Sequence, residues 1–142
     1  MALQTITKDI LTRTSGAALL ELPYDISFLA GYDADTEPDD AIVKKYGELV
    51  MARPGIFVGE VGYIDVLCTG QALICDVKVD SGSGYSSIYS SKPQFVAGSF
   101  WISPGTLSTT SFASGDRVRF EITQIGSSAP GQGIRFMLKC KV

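Results

Sequence analysis

The chain of 142 residues contains no histidine. That absence removes Ser-His-Asp and Cys-His triads, HExxH metal sites and histidine acid-base catalysis in one step. Cysteine is scarce: Cys68, Cys75 and Cys140 form an odd set without metal-ligand spacing, each inside an apolar stretch (VLCTG, LICDV, MLKCK). They read as small buried thiols of a chain made in a reducing compartment. No apolar run approaches the roughly 20 residues that a membrane helix needs, so no membrane partner is expected. The first 23 residues lack a basic stretch and an unbroken apolar core, so they do not read as a secretory signal. Positive charge is short as well. The formal net charge is −3, which argues against a general nucleic-acid binder.

What is present describes a packed protein: 45% hydrophobic and 19% charged residues, with 15 glycines among many Ser and Thr. One domain is expected at this length. Folding buries about 68–70% of the unfolded surface at this size, so no metal or disulfide staple is needed. Charge is unevenly spread. Residues 1–85 hold thirteen acids and six bases, whereas residues 86–142 hold two acids and six bases. Such a dipolar chain suits association of identical copies, acidic surface against basic.

Residues 1–23 stand apart. Short apolar clusters, Ile10-Leu11 and Ala17-Ala18-Leu19-Leu20-Glu21-Leu22, sit among polar residues and stop at Pro23. They are too short for an independent helix and too apolar for a solvated tail. An extended N-terminal assembly arm is expected, with Ile10, Leu11, Leu19, Leu20 and Leu22 as its contact residues. Residues 24–142 then form the domain.

Within it, YDISFLA predicts a strand. GYDADTEPDD follows, with Asp33, Asp35, Glu37 and Asp39 alternating. An EF-hand loop starting at Asp33 needs Gly at its sixth place and Glu at its twelfth, and Pro38 and Lys44 stand there. A solvated acidic turn is expected. IFVGEVGYIDVL and ALICDVKVD predict strands, the second with Leu73, Cys75, Val77 and Val79 inward and Asp76, Lys78 and Asp80 on a solvated face. SGSG reads as a hairpin loop into YSSIYS. DRVRFEIT turns Val118, Phe120 and Ile122 inward, and GIRFMLKCKV does the same with Ile134, Phe136, Leu138, Cys140 and Val142. The intervening GSSAPGQG reads as a hairpin loop. It is no phosphate loop, since Gln132 replaces the lysine and a strand follows. About eight one-sided strands with frequent turns predict an all-β fold, an antiparallel, jelly-roll-like β-sandwich.

Chemistry is hard to find. Asp65, Asp76 and Glu60 are the carboxylates that a hydrolytic pair would draw on, but Asp76 falls on the polar face of its strand. No Ser or Cys has a base partner. Catalytic, metal and cofactor residues are therefore expected to be none, and the chain is not expected to be an enzyme. Tyr85, Tyr89 and Trp101 form the one candidate ligand surface, Tyr85 and Tyr89 on a shared strand face.

The series FLAGYDAD, YGELVMARPGIFVGEVGYID, TGQALICDVKV, SIYSSKPQFVAGS and FASGDRVRFEITQIGSSAPGQGIRF resembles a domain of virion structural proteins of tailed bacteriophages, including cyanophages. The similarity runs from residue 31 to residue 142. One departure is the loop Asp80-Ser81-Gly82-Ser83-Gly84, where many members carry a short Asn-Gly turn. The resemblance implies a jelly-roll-like scaffold without catalytic residues, located in the virion after synthesis in the host cytoplasm. Its implied partners are itself, as a homotrimer, and the major capsid protein or other virion proteins. The role it implies is head decoration or cement, or else a tail, neck or fibre adaptor with host-glycan binding.

Overall fold

Apolar residues at every second position can be buried only if the chain is extended and one face is covered. The computed structural model describes residues 22–142, and there these stretches become strands. In chain order they are β1 (Ile26–Ala30), β2 (Lys44–Val50), β3 (Gly55–Val66), β4 (Leu73–Asp80), β5 (Ser86–Ser87), β6 (Tyr89–Ser91), β7 (Gln94–Phe95), β8 (Thr106–Leu107), β9 (Ser111–Phe112), β10 (Arg117–Gln124) and β11 (Gln132–Lys141). All pair antiparallel.

Two sheets result, β1-β11-β3-β9 and β2-β10-β4-β5, with β7 also on β4 and a small β6-β8 ladder beside them. The chain alternates between the sheets from β1 to β4 and again from β9 to β11. Sequence neighbours thus face each other across the core, which is the jelly-roll form of the β-sandwich. This alternation corrects one expectation. Gly126–Gly133 is not a hairpin loop, because β10 pairs with β2 and β4 while β11 pairs with β1 and β3. The loop crosses from one sheet to the other. It is pinned to the β3–β4 connection, where the Thr69 N–H donates to the Ala129 carbonyl (3.0 Å) and the Ser128 N–H to the Thr69 carbonyl (3.0 Å). A Cβ on Gly126 would lie 1.9 Å from the Ala129 carbonyl oxygen, so only glycine fits.

The core centres on three rings. Phe28 and Phe136 are register partners in the first sheet, and Phe120 reaches them from the second. Ring centroids lie 5.2 Å apart for Phe28–Phe120 and 4.7 Å for Phe120–Phe136. Room for Phe28 comes from Gly47, opposite Phe120 in β2, where a Cβ would meet the Phe28 ring at 3.0 Å. Around them the inward residues expected of β10 and β11, Val118, Ile122, Ile134, Leu138 and Cys140, are buried. Cys68, Cys75 and Cys140 are all buried and free of disulfides. Burial pushes the Cys140 thiol up to about 12, with Asp25 adding to it, and raises Cys75 as well.

A second expectation fails on the polar parity of β4: Asp80 is buried at 4% exposure, and Asp76 goes further. Its strand alternates as expected, yet the side chain is fully buried and not solvated. From β5 through β7 the chain doubles back along β4. There the Ser87 hydroxyl donates to Asp76 Oδ1 (2.6 Å) and Lys92 Nζ lies 3.1 Å from Oδ2. A polar face is wet only where nothing covers it.

Candidate functional surface

Tyr85, Tyr89 and Trp101 are not brought together. Tyr89 does not share a face with Tyr85: the chain bends at Ile88, and Tyr89 is buried with its hydroxyl donating to Glu60 Oε2 (2.8 Å). Burial and then Glu60 push that phenol well above its ordinary value. Glu60 Oε1 also accepts the Gly105 N–H (2.6 Å), so the pair ties the β8 region to β3. Tyr85 lies on the outside of the second sheet. The Arg119 guanidinium sits 3.9 Å from its ring centroid, and its hydroxyl donates to Glu48 (2.5 Å). A ring already covered by a guanidinium is not an open stacking platform. Only Trp101 is open, at 62% exposure.

The outer faces of the two sheets differ in chemistry. That of the second is a ladder of charges that answer one another: Lys78 and Arg119 with Glu121, and Arg117 with Asp80. Asp80 also closes the β4–β5 hairpin, accepting the N–H groups of Gly82 (2.7 Å) and Gly84 (3.0 Å). These two bonds first, and Arg117 after them, hold its carboxyl below the ordinary 3.8. A carboxyl lowered by folding stabilises the fold above its unfolded value and loses that contribution as pH falls through the folded one. Asp80→Asn should therefore flatten the acid limb of a Tm-against-pH curve below pH 3.8. An acid limb of unchanged slope would refute this role.

The outer face of the first sheet is apolar. Register places Ser27, Met137 and Val61 in one row and Leu29, Arg135 and Tyr63 in the next, with Tyr63 bridged to Trp101. Leu29 is 59% exposed and Val61 45%. Tyr63 stacks on Phe100 at 5.7 Å and meets Trp101 edge-on at 5.0 Å. Together Leu29, Val61, Tyr63, Trp101, Arg135 and Met137 line a hollow of about 230 Å³. It continues past Leu29 and Arg135 into a second hollow of about 320 Å³, formed with Tyr32, Thr36, Lys44 and Tyr46.

The second hollow is more polar. Arg135 pairs with Asp65, which also accepts the Tyr32 hydroxyl (3.2 Å). Lys44 Nζ lies 4.7 Å from the Tyr46 ring centroid. Burial raises the phenols of Tyr32 and Tyr46, so both keep their protons at neutral pH. The result is one groove, aromatic and aliphatic at one end and cationic at the other.

No hydrolytic pair forms along it: neither hollow is lined by Glu60, Asp65 or Asp76. In the acidic loop Asp33 Oδ1 accepts the N–H groups of Asp35 and Glu37 (both 2.9 Å), an internal turn. Among the described residues no group of three acids or thiols is placed to hold a metal ion. Of the expected arm, Ile10, Leu11, Leu19 and Leu20 lie outside the described residues. Leu22 is 47% exposed and exchanges backbone hydrogen bonds with Val142 (2.9 Å each way).

Leu29, Val61, Tyr63 and Met137 were not singled out in the sequence, although a signal was there. Strands such as ISFLA and FVGEVGYI carry apolar residues at both parities, the mark of a strand covered on both faces. Set against known protein families, curated proteins and solved structures, the chain matches none of them.

Proposed function

We propose that this chain is a noncatalytic structural protein of a tailed-phage virion, a decoration or cement protein that packs over the head shell as a small oligomer. The carrying observation is the outer face of β1-β11-β3, where large apolar side chains stand in open solvent next to one another. Contiguous apolar surface of this kind on a soluble domain marks a contact surface. The motif series that resembles phage virion domains supplies the setting. In it, modest contacts repeated by symmetry add up through avidity, so that no single contact has to be strong.

Particle stoichiometry tests the reading. Hundreds of copies per particle are expected for a head protein; a few to a few tens would move it to the tail or neck, and none would end the proposal. With undecorated capsids, Val61→Glu should lower occupancy at least tenfold, because it puts a charge in the centre of the apolar face. Removal of residues 1–22 should lower it too if the N-terminal residues serve as an arm.

A second reading, a tail adaptor that binds host glycans, draws on one observation. Among the described residues Trp101 is the most exposed large hydrophobic side chain, and Tyr63, itself stacked on Phe100, lies against it. A glycan array distinguishes the two, since binding that Trp101→Ala abolishes belongs to this second reading alone.

A further inference from the structure

The groove across β1 and β11 lies beside a part of the same chain with the opposite character. Its polar end carries Arg135, already paired with Asp65, and Lys44, which among the described residues pairs with no carboxylate. The loop Asp33–Asp40 borders that end through Thr36 and brings five carboxylates, all on exposed residues. Ile42 and Val43 follow after the buried Ala41, 50% and 58% exposed. Every copy thus presents an apolar-cationic groove and, next to it, an apolar-acidic projection.

We propose that the groove is the seat for this projection from a second copy: Ile42 and Val43 against the Trp101–Leu29 end, Asp35 and Glu37 towards Lys44 and Arg135 of the neighbour. Complementary signs set the register, and the apolar contact supplies most of the affinity. Trp101 is the anchor, being large, aromatic and solvent-facing before contact. The proposal deepens the oligomeric part of the virion reading and rests on it for its biological setting. The contact itself needs no particle, so copy number on a virion can fail while this stands, and the reverse.

Mass measurement in solution tests it. The full-length protein should associate at concentrations up to about 100 µM, and its single tryptophan should shift its emission as it does so. Asp35→Lys/Glu37→Lys should weaken association at least tenfold, as should Lys44→Glu/Arg135→Glu. All four replacements in one chain exchange the signs at these four positions and should regain part of the association. Trp101→Ala should also lose it, and circular dichroism should show a native fold in every variant used. A wild-type monomer at 100 µM, unchanged association in the reversals, or no recovery in the fourfold variant would each overturn the proposal. So would a monomer whose Trp101 emission moves only on adding an oligosaccharide or capsid protein, since the groove would then have another occupant.

Discussion

Phe120→Ala should cost about 3–5 kcal/mol of stability, a fall of roughly 10–20 °C in Tm at this chain length. Phe120 is fully buried and is the ring by which the second sheet grips the first, with Phe28 and Phe136 packed against it. Truncation leaves a ring-sized void that β10 cannot fill, because its backbone is held by ladders on both sides, to β2 and β4. The burial term is much smaller at Phe100, which is 42% exposed. Phe100→Ala should stay within about 1 kcal/mol. Denaturant titration of both variants checks the contrast, and a Phe120→Ala loss below that of Phe100→Ala would mean that the sheets are held elsewhere.

Glu60→Ala should cost nearly as much, about 2–5 kcal/mol, although it removes a polar group from the interior. A carboxylate that accepts two donors cannot be deleted without stranding both. The Gly105 N–H and the Tyr89 hydroxyl would each remain desolvated, at about 1–3 kcal/mol apiece. Tyr89→Phe strands only one carboxylate oxygen and should cost about 1.5–3 kcal/mol. The two residues share one bond, so the double variant should lose less than the sum of the singles, by about 0.5–3 kcal/mol. Strict additivity in urea unfolding would show that Glu60 and Tyr89 act separately.

The sequence revealed the strands more readily than their neighbours. Val118, Phe120 and Ile122, or Ile134, Phe136 and Leu138, declare an inward face because alternation is local. Which strand lies beside which is set by residues far away. GSSAPGQG therefore has every mark of a hairpin and is a crossover, since nothing within eight residues encodes that β11 belongs between β1 and β3. Asp76 failed for a similar reason: its parity is polar, and the Ser87–Lys92 segment that covers it is read only in three dimensions. The candidate surface was partly legible. Trp101 stood out as a lone tryptophan, whereas Tyr85 and Tyr89 differ from it only in what happens to touch them, a guanidinium in one case and a buried carboxylate in the other.

The place of β11 has a consequence for the order of events at the ribosome. Of the eleven strands in the described residues it is the last to emerge, yet it is central in the first sheet, with β1 on one side and β3 on the other. Synthesis proceeds at about 5–20 residues per second, so β1 and β3 wait several seconds for the partner that joins them. Pairing so distant in sequence also closes slowly once it is possible. During that interval Phe28 and Phe57 have no sheet to bury them, and a chain released before β11 is made would be left an aggregation-prone half-sandwich.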